Sequence, residues 1–454
     1  MNLLRSARVL GPRALFTGLC AAAVALGSPS SVQAQSPSAV AAAVAEADAP
    51  REVRAFYRAR GNQPLWIRNG AIGPEAERLL DLIASAELDG LDPDDYRPRA
   101  LASALERAGD GTPRSLARAE MALSRSFAQL ARDMRRPREV GVHYADAELR
   151  PKAATMRAVL DEAARAPSLL AHVDGLGWMH PLYASLRRTA AEQVTGADDA
   201  ALDLVRVNLD RARALPAAAA QGRYVLVDAA AARLWMYENG RVAGTMRVVV
   251  GKPEEPTPIM AGLIRYASVN PYWNIPPDLV RIRVAPGAVE QGPKFLRAKR
   301  FEALSDWGEN ARVVDPATID WRAVRDGRID ARVRQLPGPN NAMGRIKFMF
   351  PNSLGIYLHD TPEKTLMRED DRLFSSGCVR LEDAPRLARW LFGKPISTRT
   401  ATPEKRVDLA APVPVYITYL TVAAEGSEMV FRPDVYGRDR VQLAGGDGER
   451  FASR

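Results

Sequence analysis

The chain has 454 residues, 63 Lys and Arg against 54 Asp and Glu, a formal net charge of +9 and two cysteines. That length accommodates two or three domains with cores of their own, and so few cysteines exclude a disulfide framework. The basic excess is scattered, with no Lys/Arg block and no nucleic-acid motif, so no nucleic-acid partner is expected; it suits solubility or an anionic envelope polymer.

The first residues read as an export signal. Arg5, Arg8 and Arg13 form a positive start, ALFTGLCAAAVALG is an apolar stretch of signal length, and VQA ending at Ala34 suits signal peptidase. The stretch is too short and too rich in Ala and Gly to span a bilayer. Cys20 lies inside it, in a TGLC setting that lacks the small residue a lipoprotein cysteine needs before it. Cleavage after residue 34 is therefore expected, giving a periplasmic protein with no stable membrane span and one cysteine, Cys378.

Residues 35–48 read as a flexible Ala-rich leader. From 49 to 216 the chain predicts an α-helical domain. Apolar residues recur at helical spacing in PEAERLLDLIASAEL, RSLARAEMALSRSFAQLARDM and TMRAVLDEAARA, then in LYASLRRTAAEQV and DLVRVNLDRARAL. The character changes at Gly222. RYVLVDAA, ARLWMYENG and RVAGTMRVVVG are β-branched and aromatic runs, two of them joined by an Asn239-Gly240 hairpin signal. IRYASVN, GRIKFMF, GIYLH and VPVYITYLTVAA continue the strands, and DAPRLARWLFG predicts a helix after the cysteine. The fold class is thus α+β, a helical domain followed by a mainly β domain over 222–424. A polar, Arg/Pro-rich insertion at 278–340 is expected to form a capping subdomain. Residues 425–454 are expected to pack on the β domain and end in a flexible tail.

A thiol nucleophile needs a neighbour that raises its thiolate fraction, usually histidine. His143, His172, His180 and His359 all precede Cys378. That order excludes papain-like peptidases and related wall hydrolases, where histidine follows cysteine. The first three lie in the helical half and read as surface or core-edge residues. His359 ends the strand-like GIYLH, and Cys378 follows in FSSGCVRLED, whose Ser, Ser and Gly supply a turn rather than core side chains. A strand end and a nearby turn bring both to one sheet edge. No histidines cluster as a zinc site requires, so neither a metal nor another cofactor is expected.

HDTPEKTLMREDDRLFSSGCVRLED resembles the signature of YkuD-type L,D-transpeptidase domains, in which a histidine is followed after a spacer by Ser-His-Gly-Cys. Ser376 stands where the second histidine is usual. The Ser-Ser-Gly-Cys-Val-Arg form is similar to that of the large, scaffold-bearing, YcbB-like branch. FYRARGNQPLW, ELDGLDPDDY and ARDMRRPREVG are similar to that branch's helical scaffold, and RVVVGKPEEPTPIM, NPYWNIPP and FRPDVYGRD to its catalytic domain and flanks.

The resemblance implies acyl transfer between peptidoglycan stem peptides. Cys378 would attack the carbonyl of residue three of a tetrapeptide stem, usually diaminopimelate, and release D-alanine. The amine of a second stem would then take the acyl group in a 3→3 cross-link. His359 would pair with the thiolate as imidazolium and shuttle the proton. The backbone N–H groups of Gly377 and Cys378 would form the oxyanion hole, and Ser376 would support the loop. Arg380 would hold a stem carboxylate or buttress the loop. Tyr357 and the Tyr272-Trp273-Asn274 cluster would wall the substrate groove. Water as acceptor (an L,D-carboxypeptidase), a 1→3 product, a lipoprotein lysine, and a non-catalytic wall-binding scaffold are the competing readings.

Overall fold

The computed structural model describes residues 37–193, 199–215, 217, 222–308 and 310–444. The predicted signal at 1–34 and the predicted flexible tail beyond 444 lie outside the described residues.

The first half is built from α1 (Pro37–Glu46), α2 (Arg51–Ala59), a β1–β2 hairpin (Ile67–Arg68, Ala71–Ile72), α3 (Glu75–Ala84), α4 (Pro98–Ala108), α5 (Pro113–Met134), β3 (His143–Tyr144), α6 (Met156–Arg165), α7 (Leu169–Asp174), α8 (Pro181–Gln193) and α9 (Asp199–Arg213). The axis of this domain is α5, 22 residues long, with Pro113 at its first position and the Thr112 side chain accepting from the Ser115 N–H. Leu116, Leu123, Phe127, Leu130 and Met134 are buried at helical spacing, and α1, α4 and α6 pack around them. Residues 37–46 of the expected flexible leader are instead helix α1. Val40 and Val44, one turn apart, bury themselves in the core with α5, which repays the ordering of an Ala-rich segment. Within the helical half, β3 also departs from expectation: it leaves the helices and pairs in parallel with a strand of the second domain.

The second half opens with β4 (Arg223–Asp228), β5 (Arg233–Glu238), β6 (Arg241–Gly251) and β7 (Met260–Val269). Asn239 and Gly240 both have positive φ (51° and 75°), as a tight hairpin between right-twisted strands requires. The chain then leaves the sheet for the inserted subdomain. This comprises β8 (Trp273–Ile275), α10 (Pro277–Leu279), a π-helical turn over Val280–Val284, α11 (Ala285–Gln291), α12 (Pro293–Lys299), β9 (Phe301–Leu304), β10 (Val313–Val314), α13 (Trp321–Arg325) and β11 (Arg332–Gln335). It has a four-stranded sheet ordered β10-β9-β11-β8 and its own core around Val280, Val284, Leu296 and Val333.

The chain returns through β12 (Ile346–Met349), β13 (Leu358–His359), β14 (Leu373–Ser375), β15 (Val379–Leu381), α14 (Ala384–Phe392) and β16 (Lys405–Thr418). The strands run in the order β12-β13-β15-β6-β5-β4-β16-β7, and β12 pairs with β7 as well, so the sheet closes on itself. Inside lie Val225, Val227, Leu234, Val248, Ile264, Phe348, Leu358, Val379 and Leu381 among others. The parallel pairing of β13 with β15 sets Leu358 beside Val379 and His359 beside Arg380.

A hairpin of β17 (Val422–Glu425) and β18 (Glu428–Phe431) follows. The predicted C-terminal extension divides its contacts: β17 and β18 pack on α8, Val422 joins the helical core, and the Gln193 amide donates to Ser427 O at 2.6 Å, while Val435 and Tyr436 pack on the β-domain core. The apolar face of the hairpin finds its complement on the helices. Only beyond it does the chain reach back, with Tyr436 OH donating to Gly251 O (2.6 Å) and Arg438 to Thr257 O (2.8 Å). Buried contacts join the two halves: His180 with Tyr224 OH at 2.8 Å, Asn208 with Thr421 at 2.9 Å, and Arg211 with Tyr419 O and Asp439.

Candidate active site

Side chains two apart on a strand share a face, and register partners in a parallel pair do too. Tyr357 and His359 therefore lie on the same face as Cys378 and Arg380. The antiparallel pairing of β12 with β13 adds Lys347, directly opposite His359. The site is thus a short row across three neighbouring strands, with His359 between Lys347 on one side and Arg380 on the other.

Cys378 immediately precedes β15, half-buried and outside any disulfide. Its thiol donates weakly to Gly355 O at 3.6 Å, and the Tyr357 N–H faces the sulfur. Burial pushes the thiol up, against the opposing pull of that N–H and of Arg380 and Lys347. His359 is 2% exposed. Its Nδ1 donates to Asp360 O at 2.6 Å, a carbonyl that can only accept, so Nε2 is the nitrogen left to take a proton. Burial, with Arg380 and Lys347 nearby, lowers His359 to about 3. These directions run against a resting thiolate–imidazolium pair: burial disfavours the charged form of each partner, and two cations nearby disfavour a third on His359.

The turn before Cys378 is held rigidly. Ser375, 2% exposed, donates from its hydroxyl to Cys378 O at 2.5 Å and accepts the Gly377 N–H at 3.2 Å. Gly377 has φ +100°, and a Cβ there would lie 3.2 Å from Ile356 Cδ1, so glycine answers both backbone conformation and close approach. Of the two N–H groups expected to face an oxyanion, that of Gly377 is engaged by Ser375 Oγ, whereas that of Cys378 has no acceptor among the described residues. Thr257, fully buried, accepts the Gly251 N–H and donates to Gly377 O, both at 2.8 Å.

Ser376 accepts from Arg283, at 2.6 Å, on the π-helical turn of the inserted subdomain. The same guanidinium lies 3.6 Å from Glu255 Oε2. The subdomain is thereby tied to the residue two before the thiol. Arg380 pairs with Glu363 on the loop that follows His359, a buttressing contact. Tyr357 lies under the Lys347 ammonium, 5.0 Å from its ring centre. The Tyr272-Trp273-Asn274 cluster belongs to the inserted sheet. Arg334 stacks on Tyr272 at 4.1 Å, Trp273 packs on the subdomain core, and Asn274 is exposed and pairs with Arg334 across β8 and β11. The other three histidines take structural places: His180 is buried against Tyr224, His172 packs on Trp178 and Phe127, and His143 lies on β3. Among the described residues no three His, Cys, Asp or Glu side chains converge as a metal site.

A closed sheet that sets histidine and cysteine on one face, with a Ser-Ser-Gly turn before the thiol, is matched by family profiles. Residues 222–415 match the L,D-transpeptidase catalytic domain, YkuD, and residues 51–189 match the scaffold domain. The chain carries a YkuD-type L,D-transpeptidase catalytic domain. A Haemophilus influenzae protein provisionally named an L,D-transpeptidase is 35% identical over 228 residues, covering 48% of this chain and 45% of that protein. The match thus spans about half the length of the curated relative. Two solved structures share less. The Ldtfm–avibactam carbamoyl enzyme has 15% identity and TM-score 0.22, over 45% of this chain and 51% of that one. An Enterococcus faecium L,D-transpeptidase mutant has 14% identity and TM-score 0.21, over 43% and 49%.

Four residues of this YkuD-type site escaped sequence reasoning: Lys347, Thr257, Arg283 and Glu404. Lys347 has only period-two alternation in GRIKFMF to mark it as facing away from Ile346 and Phe348. Thr257 was within reach, since it lies in the RVVVGKPEEPTPIM stretch. Arg283 and Glu404 meet the site only through folding of distant segments.

Proposed function

We propose that this chain is a peptidoglycan L,D-transpeptidase that forms 3→3 cross-links. The observation that carries the reading is the register of β13 and β15, which sets Cys378 and His359 on one face beside a turn with a free N–H. The Cys378 sulfur bonds to the carbonyl carbon of residue three in a tetrapeptide stem while the thiol proton passes to His359 Nε2. The carbonyl π-pair moves to oxygen, where the Cys378 N–H receives it. Collapse breaks the C–N bond to D-alanine, whose amine leaves with the proton from Nε2. The diaminopimelate amine of a second stem then attacks the thioester, losing its proton to Nε2, and the sulfur leaves and is reprotonated. Proton transfer of this kind contributes ~10²–10⁴ in rate, and one oxyanion donor roughly 3–4 kcal/mol.

The family match and the basic, export-signal-bearing sequence support a periplasmic, wall-associated enzyme acting on donor and acceptor stems. The test is incubation with purified disaccharide-tetrapeptides. Dimers with loss of D-alanine are expected, and Cys378→Ala gives none. Tripeptide without dimers indicates water as acceptor and a carboxypeptidase; a different amine in the product indicates another acceptor, as in 1→3 linkage or lipoprotein anchoring. A carbapenem adduct on Cys378 by mass spectrometry is expected, and an inert thiol favours a non-catalytic wall-binding scaffold.

A further inference from the structure

His359 is flanked by cations on both sides. Lys347 is its register partner on β12 and Arg380 its register partner on β15. Lys347 is unusual in its burial, at 6% exposed. Its Nζ is fixed between the Tyr357 ring at 5.0 Å and Glu404 Oε1 at 3.7 Å. Glu404 is itself held, accepting from the Tyr272 N–H at 2.8 Å and from Ser268 Oγ at 3.1 Å. Arg380 is engaged by Glu363 on the other side of the histidine. The other charged or titratable groups on this face and its edges include Cys378 and Tyr357 themselves, Asp360 beside His359 with Lys364 Nζ 2.8 Å from its carboxylate, and Tyr266 on β7, over which Arg406 of β16 stacks at 4.0 Å. A buried ammonium is costly unless it is paired and serves a purpose. One carboxylate 3.7 Å away, whose two side-chain hydrogen bonds both go to other groups, is a modest structural return for it.

We propose that Lys347 is a positioning residue for the nucleophile: with Arg380 it brackets His359 from the two neighbouring strands, and its ammonium supplies the countercharge when the Cys378 sulfur becomes anionic. The inference rests on the acyl-transfer reading, and it differs from a dyad in which the imidazolium itself stabilises the thiolate. A neutral imidazole with its Nδ1–H donated to Asp360 O is already in the state that accepts a proton, so it acts as base at the moment of attack. Tyr357 joins the two geometrically, since its ring lies 5.0 Å from the Lys347 ammonium and its backbone N–H faces the sulfur.

Lys347 is two strands from Cys378, about 10 Å, and at an effective dielectric of ~20 a cation there changes an ionisation constant roughly tenfold. The experiment is the pH dependence of iodoacetamide alkylation of Cys378 in the full chain, together with NMR titration of ¹³C-labelled histidine. Lys347→Met should shift the alkylation profile to higher pH by about one unit, cut alkylation near pH 7 about tenfold, and let His359 titrate at a higher pH than in the wild type. Lys347→Arg should restore most of both profiles. Because Lys347→Met strands Glu404, the Lys347→Met/Glu404→Gln double variant keeps the comparison valid if the single variant does not fold. Profiles in the double variant that coincide with wild type would overturn the proposal, as would a wild-type His359 that is charged at pH 7. A wild-type thiol that forms no adduct with a carbapenem and turns over no stem would instead defeat the acyl-transfer reading, whatever the alkylation profiles show.

Discussion

Replacing Thr257 with valine keeps the volume and removes one hydroxyl. That hydroxyl is the middle of a chain running from the Gly251 N–H through Thr257 Oγ1 to Gly377 O, each link 2.8 Å and buried. The loop 251–257 cannot easily admit water in its place. A Cβ on Gly251 would lie 2.2 Å from Glu255 O and 2.6 Å from Thr257 N, so the backbone there is already in contact with itself. Two buried groups are left without a partner at about 1–3 kcal/mol each, so Thr257→Val should destabilise the catalytic domain by roughly 2–6 kcal/mol. Thr257→Ser retains both bonds and loses only a methyl, about 1 kcal/mol. Because the lost bond anchors the carbonyl one residue before the nucleophile, the valine variant should also slow D-alanine release measured under native conditions. Urea unfolding gives the stability and stem turnover the rate. A Thr257→Val protein within about 0.5 kcal/mol of wild type, or a serine variant as damaged as the valine one, would refute the reasoning.

Gly377→Ala forces a β-carbon into positive φ (+100°) and towards Ile356, so a cost of about 1–3 kcal/mol and a loss of stem turnover larger than the loss of stability are expected; urea unfolding and turnover, measured together, check it. Glu120 is buried in α5, where it accepts from the Trp66 N–H, the Leu65 N–H and Tyr57 OH, and burial raises its carboxyl from 4.5 to about 7. A raised carboxyl holds its proton more tightly when folded, so its stabilising contribution is full below about pH 4.5 and is lost as pH rises through about 7. The change is on the order of 3 kcal/mol, and urea unfolding of Glu120→Gln against wild type at several pH values should show it; a pH-independent difference would remove that account. Arg187→Met leaves Asp89 buried and without the guanidinium 2.8 Å away, at an expected cost of about 3–5 kcal/mol to the helical domain, readable as earlier melting.

Periodicity and turn chemistry carried much of the architecture. The 3.6-residue pattern of α3, α5, α6, α8 and α9 and the β-branched runs of β4 to β7 depend on local amphipathicity, which a single chain displays. So does the Asn239-Gly240 turn, because few residue pairs tolerate two positive φ values. Shorter elements were less legible. The helix α1 reads as a leader because alanine is compatible with either state until Val40 and Val44 have something to bury against. The strand β3 is two residues long, and only its partner β7 makes it a strand.

At the site, Cys378, His359 and the Ser-Ser-Gly turn were visible because their types and spacing are rare and chemically specific. Their electrostatic state was not. The resemblance implied a thiolate–imidazolium pair, whereas burial and the charges that the closed sheet brings alongside act on it only in the folded chain. The register of β12 against β13 sets Lys347 opposite His359, and the closure of β7 onto β12, with the residues preceding β16, brings Glu404 to Lys347. Those partners lie 12 to 57 positions apart, as numbered in the chain, and no local pattern links them. Composition and short-range spacing thus determined which groups are the candidates for the chemistry, whereas tertiary pairing decided which charges and how much burial surround them, because Coulomb interaction and desolvation depend on distance in space and not along the chain.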